Sequence, residues 1–208
     1  MPPNWNHVKE FEEKIAEFFG APFAIATDSA THGIELCLRL TEAKEITVPK
    51  HTYLSIPMLA SKLGIGLKWH DLHWIDYYFL TDRVADAAVL WQRDSYEAGS
   101  FMAISFQYQK HMSLGRAGMI LCDNKEEAKM LKRMAYDGRD PIIPWRNQNV
   151  SVQGYHYYLQ PELAEKGLQK LQSAIDTPPR RWRIEDWPNI SEMDIFKTPV
   201  KEKIRVPM

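Results

Sequence analysis

Cysteine is nearly absent from this chain of 208 residues: Cys37 and Cys122 are the two, each inside an apolar segment. Two isolated thiols give neither a disulfide framework nor zinc-ligand spacing. They fit a reducing compartment, so the cytosol is the expected location. An excess of one charge is missing as well. With 26 Lys and Arg against 27 Asp and Glu, the formal net charge is -1, which supplies no field for nucleic acid or an anionic membrane. The one dense basic run, Arg180-Arg181-Trp182-Arg183, follows Pro178-Pro179 and reads as a solvated tail. No apolar stretch reaches the roughly 18 residues of a membrane span. The opening Met1-Pro2-Pro3-Asn4-Trp5-Asn6 leads into a charged amphipathic segment without a signal-peptide core. The histidines lack His-x-x-x-His or carboxylate spacing, so no metal is expected. Repeats and low-complexity tracts are also missing. What is present, 45% hydrophobic and 25% charged residues, is the composition of a globular chain long enough for one core.

Apolar residues Val8, Phe11, Ile15 and Phe18 recur at helical spacing between His7 and Phe19, with Asn6 available as N-cap and Gly20 as the stop. Phe23 to Thr27 reads as a short buried strand, Thr31 to Leu40 as a helix, Glu45 to Val48 as a second strand, and Ser55 to Leu63 as a helix ended by Gly64. Further strands are expected at Leu67 to Trp69, Ala87 to Trp91, Met102 to Phe106 and Met119 to Cys122. Asp123 or Asn124 caps a helix that buries Ala128, Leu131 and Met134, and Pro161 opens another with Leu163, Gly167, Leu168 and Leu171 on one face. Between them, Asp140 to Val152 has no periodicity and reads as a long loop. Strands alternating with helices predict an α/β fold with a mostly parallel sheet covered on both faces. Ligands of such sheets sit at the carboxyl ends of the strands. Residues 1–176 are taken as this domain, and 177–208, rich in proline, tryptophan and charge, as an irregular extension packed on it.

Three places could carry chemistry. Asp28-Ser29-Ala30-Thr31-His32-Gly33 stands between a strand and a helix, where small residues leave backbone N–H groups free to cradle a phosphate; an ordinary N-cap explains the same residues nearly as well. Asp94 follows the expected strand Ala87 to Trp91 closely enough to reach into a pocket at the sheet's edge. Asp86 competes with it, but precedes that strand and would lie at the wrong end. Lys110 closes the run Ser105-Phe106-Gln107-Tyr108-Gln109-Lys110, led out of the core by Met102-Ala103-Ile104 and followed by Leu114-Gly115-Arg116-Ala117-Gly118. An amine brought out of an apolar run is partly desolvated, as a nucleophilic lysine must be.

Taken in order, these segments resemble the DegT-type aminotransferases, pyridoxal-phosphate enzymes that aminate keto groups on nucleotide-linked sugars. Phe11-Glu12 to Gly20 is similar to the family's fE…fG opening, and Asp28 to Thr31 stands where it has S-G-T. Pro49 to Tyr53 stands for P-x-x-T-[FYW], Ser105 to Lys110 for S-F-H-x-x-K, and Gly115 to Gly118 for G-E-G-G. Tyr136-Asp137-Gly138-Arg139 is similar to h-G-R, and Gly154-Tyr155-His156-Tyr157-Tyr158-Leu159 to G-Y-N-Y-R-M. The likeness runs from Phe11 to Leu171. It implies the large domain of a fold-type I (aspartate-aminotransferase-like) enzyme with pyridoxal 5'-phosphate as cofactor.

Carried over by position, the resemblance implies that Lys110 forms the Schiff base and shuttles the proton, and that Asp94 holds the pyridine nitrogen. Tyr53 would stack on the ring, while Ser29, the Ala30 and Thr31 amides and the Ser105 hydroxyl bind phosphate. Glu97 and Gln107 would lie near the cofactor. His156 replaces an asparagine that reaches the partner subunit's phosphate in the family, which implies a homodimer with shared active sites. Ala30 for glycine, Arg116-Ala117 for Glu-Gly and Tyr158 for arginine depart from the pattern, and the family's N-terminal lead-in and C-terminal small domain have no counterpart here. The expected function is an aminotransferase moving an amino group from a small-molecule donor to a keto acceptor. The alternative is a homologue that dimerises or binds cofactor without turnover.

Overall fold

The computed structural model describes residues 4–197; Met1 to Pro3 and the part of the expected C-terminal extension spanning 198–208 lie outside the described residues. Helix α1 (Trp5–Phe19) starts two residues before the expected His7. Asn4 is its N-cap, its side chain accepting from the Asn6 N–H, so Asn6 lies inside the first turn instead of capping it. Gly20, at φ +73°, ends the helix in the left-handed region as its sequence position predicts. Strand β1 (Phe23–Thr27), helix α2 (Ala30–Leu40), β2 (Glu45–Pro49), α3 (Ser55–Leu63) and β3 (Gly66–His70) follow. Then come β4 (Tyr78–Phe79), β5 (Val84–Asp86), β6 (Phe101–Ser105), β7 (Gly118–Cys122), α4 (Lys125–Ala135), α5 (Pro161–Asp176) and the short α6 (Asp194–Lys197).

The five-stranded sheet has the order β1-β7-β6-β5-β4, with β2 and β3 forming a separate parallel pair. Its neighbours correct the expectation of a mostly parallel sheet: β1/β7, β7/β6 and β4/β5 are antiparallel, and β5/β6 alone is parallel. The sheet is mixed. Because β7 lies between β1 and β6 and opposes both, β1, β6 and β5 nevertheless run in one direction. Their carboxyl ends, Thr27, Ser105 and Asp86, therefore share one edge.

Period-two alternation assigns the faces. Ala26, Ala85, Met102, Ile104, Met119 and Leu121 join the cluster of α1 and α5, whereas Ile25, Val84, Phe101, Ala103, Ile120 and Cys122 join that of α2, α3 and α4. Asp86 and Ser105 continue the second set by parity. Their side chains thus belong on the α2 face, at the edge where α2 begins.

The segment Ala87 to Trp91 is not a strand. Its apolar residues Ala87, Leu90 and Trp91 are buried, yet they pack irregularly, with the Trp91 ring stacked 4.7 Å from Phe18. The strand at this place is β5, three residues long. The loop 140–152 is irregular as expected apart from one 3-10 turn at Trp145–Asn147. From Thr177 the chain forms two 3-10 turns, Ile184–Asp186 and Ile190–Glu192, before α6. Ile190 is buried, and its N–H donates to the Lys50 carbonyl at 2.9 Å, which ties this segment to the end of β2.

Candidate active site

Three strand ends and one helix start converge on a cavity of about 150 Å³ lined by Ser29, Ala30, Thr31, Thr52, Tyr53, Trp74, Asp86, Ser105, Gln107, Lys110, Arg116 and Trp187, among others. Asp86, at the end of β5, is 4% exposed. One of its oxygens accepts from the Tyr78 hydroxyl at 2.6 Å and the other from the Ala88 N–H at 3.0 Å. Since Tyr78 gives its proton to Asp86, the Thr52 hydroxyl 2.5 Å away donates to the Tyr78 oxygen. This relay fixes the carboxylate. Burial raises its pKa, while the two hydrogen bonds and the Lys110 charge act to lower it. The Tyr78 hydroxyl is pushed far above its ordinary range by burial and by Asp86, so it remains a neutral donor.

Lys110 enters from the turn after β6, where its own N–H donates to the Gln107 carbonyl at 2.8 Å. Its pKa is lowered: burial is the largest cause, Asp86 opposes the shift, and the Arg180 charge adds to it. The ammonium lies 4.7 Å from the centre of the Trp182 ring and 5.6 Å from that of Trp187. Those two indoles stack on each other at 5.2 Å, and the Arg180 guanidinium stands 3.9 Å over Trp182. Trp187 is anchored through its carbonyl to His51 at 2.9 Å, and His51 in turn accepts from the Trp74 indole N–H at 2.7 Å. The run Arg180-Arg181-Trp182-Arg183 is therefore no plain solvated tail, because part of it forms a wall against Lys110.

The start of α2 also lines the cavity. Ser29 is the N-cap and its hydroxyl accepts from the His32 N–H at 3.2 Å. The amides of Ala30 and Thr31, which come earlier, have no carbonyl one turn back to accept from them. A Cβ on Gly118 would lie 2.3 Å from the Ser29 carbonyl carbon and 2.4 Å from the Ala30 nitrogen, so only glycine lets β7 approach this turn. The Ser105 hydroxyl accepts from the Gln107 N–H at 3.3 Å. Tyr53 lines the mouth and is 53% exposed.

The structure thus brings together Ser29, Ala30, Thr31, Tyr53, Ser105, Gln107 and Lys110. It does not place Asp94 with them. Asp94 sits at φ +52°, its N–H donating to the Phe18 carbonyl at 3.1 Å, beside the end of α1. The acid facing Lys110 is Asp86, because β5 ends at residue 86 and the stretch after it is not a strand. Glu97 also lies elsewhere, accepting from the Tyr77 hydroxyl at 2.8 Å. His156 is not among the cavity's lining residues; it lines an adjoining cleft that shares Arg116 with the cavity, its ring 3.1 Å from Asp137. Thr52, Trp74, Tyr78, Trp182 and Trp187 were not foreseen. A tryptophan-dense C-terminal segment was the one sequence signal available for the last two.

A carboxylate aimed from the sheet edge, a half-buried amine, open helix amides and a glycine-enforced close approach suit a flat cationic heteroaromatic ring that carries an aldehyde and a phosphate. Among the described residues, no group of three or more His, Cys, Asp or Glu side chains could hold a metal ion, and no helix is long and apolar enough to cross a membrane.

The sequence matches the DegT/DnrJ/EryC1/StrS aminotransferase family over residues 4–89 and 85–186. No match was found among curated proteins. Among solved structures, AtS13 from Actinomadura melliaura superposes with a TM-score of 0.71 at 18% identity, covering 84% of this chain and 61% of that one. The sugar aminotransferase CalS13 from Micromonospora echinospora gives 0.68 at 15%, with 82% and 61% covered. The PLP-form of Spr1654 from Streptococcus pneumoniae gives 0.69 at 16%, with 83% and 60% covered. At these identities the likeness shows the fold, that of the fold-type I pyridoxal-phosphate enzymes. The chain spans about three-fifths of the length of these proteins.

Proposed function

Because the chain belongs to the DegT/DnrJ/EryC1/StrS aminotransferase family, we propose that it is a pyridoxal-phosphate-dependent aminotransferase whose cofactor is held by Lys110. The observation that carries this is the convergence of Lys110, Asp86 and the α2 amides on one cavity. When bound, the cofactor supplies an aldehyde for an amine and a protonated ring that takes up electrons. Asp86, fixed by Tyr78 and Ala88, pairs with the ring nitrogen and keeps it protonated. Asp94 is not proposed for this role, since it lies outside the cavity.

The α2 amides and the Ser105 hydroxyl receive the phosphate, and Tyr53 covers the ring at the mouth. Lys110, with its pKa lowered by burial, would be the residue that holds the aldehyde end of the cofactor, gives way to the amine of an amino donor, and holds or returns the proton at the substrate carbon. The acceptor is a keto compound, with a nucleotide-linked sugar as the class suggested by the family. A homodimer in the cytosol, in which His156 serves the other copy's site, completes the proposal. Its support is the position of His156 outside its own chain's cavity. Residues 4–176 carry the cofactor site, and 177–197 wall it.

One observation favours a second reading, binding without turnover. The indoles of Trp182 and Trp187 lie on the Lys110 amine, and Trp187 lines the cavity of about 150 Å³, a volume below the roughly 300 Å³ at which ligand pockets usually begin. The two are separated by adding pyridoxal phosphate to the protein and then amino acids one at a time, following the visible absorption of the bound cofactor. Turnover predicts that a donor converts the band and a keto acceptor restores it. A band that no amino acid changes supports the silent binder, and no band at all overturns both.

A further inference from the structure

We propose that Arg116 is a ligand of the cofactor's phosphate, released for that purpose from its ion pair with Asp28. The inference rests on the cofactor assignment above and deepens it. Charge bookkeeping in the cavity leads to it. A phosphate monoester carries roughly two negative charges, against about half a positive charge at a helix N-terminus. The cationic side chains lining the cavity are Lys110 and Arg116. Lys110 would be committed to the aldehyde end, where its amine would form a C=N bond with loss of one water, so Arg116 is the cation left for the phosphate end.

Its position suits the task. Arg116 lies in the turn between Gly115, at φ +90°, and Gly118, whose missing Cβ lets this turn press on the Ser29–Ala30 backbone. The guanidinium donates to Asp28 Oδ2 at 2.8 Å, one residue before the N-cap of α2. The Arg116 side chain is 68% exposed, and an ion pair so open to water is held weakly. Asp28 would not be stranded by its loss, because its other oxygen is 2.6 Å from the His32 ring nitrogen, and that ring is stacked on Tyr157 at 3.7 Å. Arg116 can therefore swing from a replaceable carboxylate to a phosphate that offers bidentate acceptance.

The test compares two aldehydes that differ by the phosphate alone. Pyridoxal phosphate and pyridoxal are titrated into the full chain, with binding read from visible absorption and from the mass of the borohydride-reduced Lys110 peptide. Arg116→Ala is expected to weaken pyridoxal phosphate by about tenfold to a hundredfold, as for loss of a charge-assisted hydrogen bond, and to leave pyridoxal unchanged. Unchanged pyridoxal binding also reports an intact pocket. The double variant Asp28→Asn/Arg116→Ala separates contact from screening: direct contact predicts that it stays weak, while recovery to wild-type affinity would mean that Arg116 only neutralises Asp28 and would overturn the proposal. Equal losses for both aldehydes in Arg116→Ala would overturn it too. If neither aldehyde reaches Lys110 in the wild type, the cofactor assignment falls and the role of Arg116 with it, whereas normal binding of both in Arg116→Ala removes the role of Arg116 alone.

Discussion

The N-termini of α2 and α4 face the same physical demand and meet it differently. In α4, the Asn124 side chain accepts from the N–H groups of both Glu126 and Glu127, at 2.9 and 3.1 Å, and the two glutamates put negative charge in the first turn. Glu127 is held in turn by Arg83 through bonds of 3.0 and 2.8 Å. That end is closed by the chain's own groups. In α2 the first turn holds no acid, and Ser29 caps the His32 amide at 3.2 Å, leaving the preceding amides turned toward a cavity that also contains Lys110 and Asp86. A helix end satisfied locally serves stability, and one left open beside an amine is equipped to receive an anion.

The largest effect should come from the acid that distinguishes the α2 cavity. Asp86→Asn removes the charge opposite the ring nitrogen, and breaking a buried ionic pair costs about 3–5 kcal/mol. Transamination should therefore fall by roughly two to four orders of magnitude, measured as the rate of cofactor conversion by a donor. Asp94→Asn, outside the cavity, should leave that rate unaltered. Making α2 resemble α4 comes next: Thr31→Glu places a carboxylate in the first turn of α2, and should weaken pyridoxal phosphate by at least about tenfold through like-charge repulsion while the thermal midpoint holds or rises. The reciprocal change, Asn124→Ala, should cost about 1 kcal/mol of stability by chemical denaturation and leave cofactor affinity untouched.

The smallest effect concerns the pH at which Lys110 reacts. The neutral amine is the nucleophile, so the reaction rate with the aldehyde should rise with pH through the lysine pKa, at a midpoint below that of an ordinary lysine. The Arg180 charge helps to lower that pKa and Asp86 opposes it. Arg180→Ala should accordingly move the midpoint of the rate profile up, and Asp86→Asn should move it down. A shift of the same sign in both variants would contradict the electrostatic account.

Helices α1 to α5 were legible because amphipathic period, caps and stop residues agree; α3 has the predicted bounds, and Gly20 and Gly64 adopt the left-handed conformation their positions imply. The five-residue strands β1, β2, β6 and β7 were legible as short apolar runs. Strand β5 was not. Its three residues end on a charged aspartate, whereas Ala87 to Trp91 next to it is apolar because, after one bond from the Ala87 N–H to the Ala103 carbonyl at 3.1 Å, it leaves the sheet and packs beneath α1. Burial with little pairing carries the same hydrophobic signature as a strand, so the sequence favours Asp94 over its competitor Asp86, although the strand ends at Asp86, eight positions earlier. Sheet order was equally hidden, since β7 inserts between β1 and β6 through contacts distant in sequence.

The cradle residues Ser29 to Thr31 and the run Ser105 to Lys110 were readable because each lies within one short segment joined to a strand end. By contrast, the relay Thr52, Tyr78 and Asp86 joins three separate segments. The indole wall depends on how the segment after α5 folds back toward β2, and no local pattern encodes that path.

The central claim, that the Lys110 amine and the open end of α2 form one cofactor site, is tested most directly by treating the protein with pyridoxal phosphate, reducing it with borohydride and mapping the modified peptide by mass spectrometry. A single stoichiometric adduct on Lys110, lost in Lys110→Ala, is the predicted result. Modification spread over exposed lysines, with Lys110 unlabelled, would contradict it.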